Sequence, residues 1–334
     1  MTPTPGITVF PGAPDHLMRM VHAAFGDPAH PGTPGVEGVK VLSAAEQKLT
    51  FQVDLSSRAP VVLRVCPEAS REIRSDRRQT PIAVAGVDSP TPLAEFMPKI
   101  LLTDFSQTVI ERSFRFEEFL PGGTASELLD GFAQTEPFFE QFGGILGRLH
   151  AVQGPGYGPL QGPLFASWSQ ALRARFAAMV TDLNHAGLAF NDIRTVSMLL
   201  ERNAETVDAA ADAAGGPRLL HGNLWLRNVL LEPDCPHPRI TGLVGLDCGS
   251  WGSPLEDFSL QQLRRRNPDE RAAFWRGYGT AAGEGARTGA QEFFLLARRV
   301  GEARLEYHRL GQDNKVEATY PRLEHALDVF LSQR

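Results

Sequence analysis

The apolar residues of this chain change their spacing once, near residue 135, and that change restricts its fold more than any other feature. Before it, VKVL (39–42), LTFQVDL (49–55) and PVVLRV (60–65) cluster or alternate β-branched residues over strand lengths, which predicts three antiparallel strands. KILLTDF (99–105) and RFEEFLPGG (115–123) add two further strands and a turn. After it, Phe139, Phe142, Leu146 and Leu149 recur at three and four residues, the period of a helix with one buried face. Thr135 offers that helix an N-cap oxygen, and Pro137 is tolerated in its first turn. WSQALRARFAAMVTDLNHAG (168–187) and AQEFFLLARRVGEARLEYHRL (290–310, stopped at Gly311) continue the helical pattern.

Three segments stand outside this division. One helix precedes the strands: Asp15 caps it, Leu17, Met20, Val21 and Ala24 share its face, and Gly26 stops it. Residues 68–95 are polar and broken by prolines, with only a weak helical signal. NAETVDAAADAAGGP (203–217) has the biased composition of a flexible loop. At roughly 100 to 200 residues per domain, 334 residues predict two lobes of an α+β chain. A small antiparallel β lobe spans residues 1–118, and a large, mainly helical lobe spans 119–334.

Composition excludes several classes. A net charge of −6 argues against a broad nucleic-acid surface. Cys66, Cys235 and Cys248 are odd in number and far apart, which supports neither a disulfide framework nor a zinc site and leads to the expectation of a reducing, cytoplasmic setting. No apolar run approaches the ~20 residues of a membrane helix. The start MTPTPGITVFPG lacks the charged head and apolar stretch of a signal peptide. The histidines form no i, i+4 pair on a helix and G-x-S-x-G is absent, so neither hydrolase chemistry is supported.

The chemically suggestive residues lie in LLHGNLWLRNVLL (219–231) and ITGLVGLDCGSWGSPLEDF (240–258). Together they resemble the aminoglycoside phosphotransferase and choline kinase family, whose pattern runs H-G-D-L-x-x-x-N, then a strand ending I-D, then a G-D-P turn. VVLRV resembles that family's strand with a basic phosphate contact, FEEFLPGGT (116–124) its hinge beside the adenine, and LGRLH (146–150) the helix end below the catalytic loop. GPGYGPL (154–160) and Trp168 also follow a pattern seen in relatives, and the likeness covers about residues 40 to 331. It implies a bilobal protein-kinase-like fold, with a catalytic-like loop at 221–228 and a metal-like segment at 241–258.

The resemblance also assigns roles, and several positions depart from it. Phosphoryl transfer needs a carboxylate for the acceptor hydroxyl and oxygen ligands for magnesium. His221 and Gly222 fit, but Asn223 stands where the catalytic aspartate belongs, and an amide has no basic oxygen near neutral pH. Asn228 matches the metal-binding asparagine. Gly245 occupies the position of the main magnesium aspartate, and Ser253 replaces the acidic member of G-D-P, while Asp257 matches. Asp247, two residues beyond Gly245 and so on the same strand face at ~6.6 Å, is the one substitute metal ligand. SAAEQK (43–48) replaces the glycine-rich phosphate loop. Arg64, Glu117 and Phe119 are the implied nucleotide contacts; no acidic partner for Arg64 stands out between 68 and 95, where Glu72 is a guess. His150 and His221 read as structural groups around the loop.

Two functions follow from this resemblance. The first is a pseudo-phosphotransferase that binds a small molecule, a peptide or a partner enzyme in the interlobe cleft, with the acidic residues at 256–257 lining the acceptor groove. The second is an active O-phosphotransferase that needs ATP and Mg²⁺ and recruits Asp247. Nucleotide binding without transfer lies between them. Neither reading involves nucleic acid or membrane, and the oligomeric state stays open.

Overall fold

The computed structural model describes residues 14–26, 33–45, 48–65, 93–160, 162–245, 249–257, 263, 266–279 and 289–333. They belong to two compact units, Met1–Arg71 with Met97–Pro121 and Glu72–Phe96 with Gly122–Arg334. Among the described residues no helix is long and apolar enough to cross a membrane.

The first unit holds helix α1 (Pro14–Phe25) and strands β1 (Val36–Ala45), β2 (Lys48–Leu55), β3 (Val61–Val65), β4 (Ile100–Asp104) and β5 (Phe114–Glu118). The strands form one five-stranded antiparallel sheet in the order β1-β2-β3-β5-β4. Alternation sets its buried face: Phe51, Val53 and Leu55 of β2 point into the core, while Gln52 and Asp54 share the other face and a 2.8 Å hydrogen bond. Leu17, Met20 and Val21 of α1 join that core with Leu63 and Phe116, and each such side chain gains about 1.5–3 kcal/mol by leaving water. Arg58 closes the helix end by lying 4.1 Å over the Phe25 ring.

The second unit is mainly helical. It opens with β6 (Gly123–Thr124) and α2 (Ala125–Leu128), then α3 (Glu136–His150), β7 (Gly158–Pro159), α4 (Trp168–His185), α5 (Asn191–Arg202) and α6 (Ala204–Ala213). Strands β8 (Arg218–Leu220), β9 (Val229–Leu231), β10 (Ile240–Leu243) and β11 (Ser250–Gly252) follow. Helices α7 (Pro268–Tyr278), α8 (Gly289–Arg309), α9 (Asp313–Glu317) and α10 (Thr319–Ser332) complete it. Two small sheets, β10-β9-β6 and β7-β11-β8, carry the segments of the candidate site.

Helices α3 and α7 approach so closely that only glycine fits between them. A Cβ at Gly143 would lie 2.0 Å from the Phe274 carbonyl oxygen, and one at Gly277 would lie 1.9 Å from that of Glu140. Phe138 and Phe142 stack at 5.5 Å, and Phe274 and Tyr278 stack at 6.1 Å along the same seam. The close approach brings His150, at the end of α3, beside Tyr278, at the end of α7.

Two expectations are corrected. Residues 204–213 form α6 rather than a flexible loop: alanine is the best helix former, and Val207 and Ala211, four residues apart, bury one face against α4 and α8. Asp208 of α6 also accepts hydrogen bonds from the Ser169 amide and hydroxyl, both at 2.7 Å. Thr135 precedes α3 as expected, but its hydroxyl does not cap that helix; it donates to the buried Glu270 carboxylate and ties α3 to the first turn of α7.

Candidate functional site

Residues 221–228 connect β8 to β9, and strand pairing holds both ends of the loop. Leu220 pairs with Ser250 and Leu219 with Trp251 on one side, while Val229 pairs with Leu243 on the other. The loop's base rests on Asp257, which follows a 3₁₀ turn at Pro254–Glu256. The Asp257 carboxylate accepts the backbone amides of His221 at 2.5 Å and Gly222 at 2.7 Å. His150 Nε2 reaches the same carboxylate at 3.3 Å, and its Nδ1 lies 2.9 Å from the Tyr278 hydroxyl. Since a carboxylate only accepts, His150 Nε2 donates to Asp257.

Both acids respond to this setting. Burial alone would raise the Asp257 carboxyl, but the His150 hydrogen bond and charge, His221 and the Gly222 amide outweigh it and hold the group below its ordinary value. Tyr278 is pushed up to about 12, chiefly by burial and then by the Asp257 charge. The base is therefore a bonded, charged anchor.

The tip of the loop differs. The Asn223 carbonyl accepts from Asn228 Nδ2 at 2.6 Å and from the Trp225 amide at 3.1 Å. The Asn223 amide faces His221 Nδ1 at 3.4 Å, but its carboxamide makes no hydrogen bond among the described residues. The Asn228 amide donates to the Trp225 carbonyl at 2.8 Å, and its carbonyl accepts from Val244 at 2.9 Å. That last bond sets Gly245 against Asn228. Gly245 has φ of +80°, and a Cβ there would lie 3.2 Å from the Asn228 Cγ and Nδ2 and 3.3 Å from its Oδ1. Asn223, Asn228 and Gly245 thus meet, whereas Asp247 lies outside the described residues.

Residues 253–257 do not open toward an acceptor groove. Ser253 is fully buried. Glu256 accepts from Trp168 Nε1 at 2.7 Å, pairs with Arg298, and receives Arg299 on its carbonyl at 3.2 Å. With Asp257 committed to the loop base, both carboxylates expected to line the groove act inside the fold instead.

The sheet of the first unit brings Arg64 and Glu117 together. Arg64 Nε meets Glu117 Oε2 at 2.9 Å, and Arg115 pairs with the same carboxylate. Sequence alone does not pair these two, because they lie on different strands. Their signal is the register: Arg64 stands opposite Arg115, and Glu117, two residues on, shares that face. Glu72 lies outside the described residues, and Phe119 sits half-buried just past β5. Across the β1–β2 hairpin, Ala45 pairs with Lys48.

Magnesium held with a nucleotide takes carboxylate oxygens in near-octahedral geometry at about 2.1 Å. The described positions assigned to it offer a glycine and one neutral carboxamide, whose nitrogen already donates to the loop backbone. Among the described residues, no group of three or more His, Cys, Asp or Glu is arranged to hold a metal. Among the described residues the donor set does not fit the ion.

The sequence pattern that defines the phosphotransferase enzyme family matches residues 38–293. The chain belongs to the phosphotransferase enzyme family. No curated protein matches it by sequence. Among solved structures, a thermostable mutant of aminoglycoside phosphotransferase APH(4)-Ia, in a ternary complex with ADP and hygromycin B, is similar at 17% identity. The match covers 93% of this chain and 98% of that one, with a TM-score of 0.55. The GDP and kanamycin complex of APH(2″)-IIIa is similar at 11% identity over 94% of this chain and 98% of that one, with a TM-score of 0.59. This phosphotransferase-family chain has their protein-kinase-like α+β fold, with an antiparallel N-terminal sheet and a helical C-terminal part.

Proposed function

We propose that this member of the family keeps the phosphotransferase fold without transferring phosphate, and works by binding a small molecule, a peptide or a partner enzyme. The observation that carries this reading is Gly245. Its left-handed backbone strains any residue with a side chain, and a Cβ there would press on the Asn228 carboxamide, so the position disfavours a metal-holding side chain. The deficit is in the backbone as well as in the residue type. Asn223 adds to it, because it can orient a hydroxyl but cannot take its proton, and general-base assistance is worth about 10²- to 10⁴-fold.

The alternative is an active O-phosphotransferase that uses ATP and Mg²⁺ with Asp247 as metal ligand. The intact loop base, with Asp257 on the His221 and Gly222 amides, favours it. Incubation with ATP, Mg²⁺ and a panel of alcohols separates the two. The non-catalytic reading expects ADP no faster than background hydrolysis; turnover of about 1–100 s⁻¹, abolished by Asp247→Asn, would establish the alternative.

A further inference from the structure

One side chain of the loop has no part in holding it. Trp225 is 45% exposed, whereas Trp168 is buried and Trp251 and Trp275 are half-buried. Its backbone is fixed on both sides, by its amide on the Asn223 carbonyl and its carbonyl on the Asn228 amide, so the indole is presented from a rigid mount. Exposing an indole sacrifices a large apolar area that the adjacent Leu224 does bury. Arg227 lies 5.8 Å from the centre of that ring, is itself exposed, and makes no ion pair among the described residues.

We propose that Trp225 and Arg227 form a ligand-reading face, in which the indole stacks on a flat ring and the guanidinium pairs with an anionic group, phosphate or carboxylate, carried by that ring. This rests on the binding function proposed above and names the ligand class for it. An indole with a fixed backbone loses little freedom on stacking, and an arginine without a carboxylate partner among the described residues gains a charge-assisted bond without breaking an ion pair there. Arg227 already puts a positive charge beside the indole. A polycation is therefore disfavoured at this face.

The test uses the full chain labelled with 5-fluorotryptophan, whose four tryptophans give four ¹⁹F resonances, with Trp225→Phe identifying one of them. Phenyl phosphate should shift the Trp225 resonance saturably. Phenol and inorganic phosphate, each offering half of the recognition, should need at least about tenfold more. Arg227→Gln should bring phenyl phosphate down to the level of phenol. The proposal is overturned if phenyl phosphate leaves that resonance unmoved, if phenol matches it in the unsubstituted protein, or if kanamycin binds there more tightly. ATP consumption is read on the same sample. Turnover there would remove the non-catalytic reading, whereas loss of the ¹⁹F response without turnover would remove the ligand face alone.

Discussion

The two ends of one short loop contrast sharply. At its base, a buried carboxylate accepts two backbone amides and a histidine, and that histidine is held in turn by a tyrosine from another helix. At its tip, where chemistry would occur, the side chains are neutral amides beside a glycine. The base sets the shape of the loop and the tip would set its reactivity, so a chain can keep the first and lose the second. The base is tied to folding free energy through its buried bonds, whereas the Asn223 carboxamide at the tip makes no hydrogen bond among the described residues.

This contrast can be broken or sharpened from the base outward. Gly277→Ala should have the largest effect. Its new methyl group would meet the Glu140 backbone at 1.9 Å, forcing α3 and α7 apart and costing about 3 kcal/mol or more in a urea titration. A loss below about 1 kcal/mol would mean that the helix seam does not support the loop base. Asp257→Asn should follow at about 2–4 kcal/mol, since it removes a buried charge shared by three donors. The pH dependence fixes its sign: because the folded carboxyl titrates below its ordinary 3.8, its contribution is present above that value and is lost as pH falls through the folded one. Acid titrations followed by circular dichroism should therefore be flatter for Asp257→Asn than for the unsubstituted chain.

Tyr278→Phe should cost about 1 kcal/mol by removing one hydrogen bond to His150. The Tyr278 hydroxyl, raised from 10.0 to about 12, contributes stability fully below pH 10.0 and loses it as pH rises toward 12, so the variant should show a shallower alkaline decline. Asn223→Ala closes the series with less than about 0.5 kcal/mol, because its carboxamide makes no hydrogen bond among the described residues. A loss as large as that of Asp257→Asn would erase the distinction between base and tip.

The sequence revealed elements whose apolar period is long and regular. The strands at 49–55 and 61–65, helix α1 and the helices over 136–150 and 168–185 all follow from the spacing of their buried residues. Residues 204–213 were misread because alanine repetition resembles low complexity, although Val207 and Ala211 give the segment a buried edge. Within the site, the family resemblance pointed to Asn223, Asn228, Gly245 and Asp257, each in a short local pattern, and the structure groups the first three and sets Asp257 under the loop. Contacts made across strands or helices were not legible. The Arg64–Glu117 pair depends on the β3–β5 register, and the His150–Tyr278 bond depends on how two helices cross. Asp208 on Ser169 likewise requires knowing that α6 exists.

The central claim, a loop with a built base and a tip that cannot hold metal, is tested most directly by Mn²⁺ line broadening. Backbone amide spectra of the protein with a non-hydrolysable ATP analogue are recorded while Mn²⁺ is added at micromolar levels. The account predicts no selective broadening of the Asn228 and Gly245 amides relative to those of α10, far along the chain. Selective loss of those two signals, reversed by excess Mg²⁺, would contradict it.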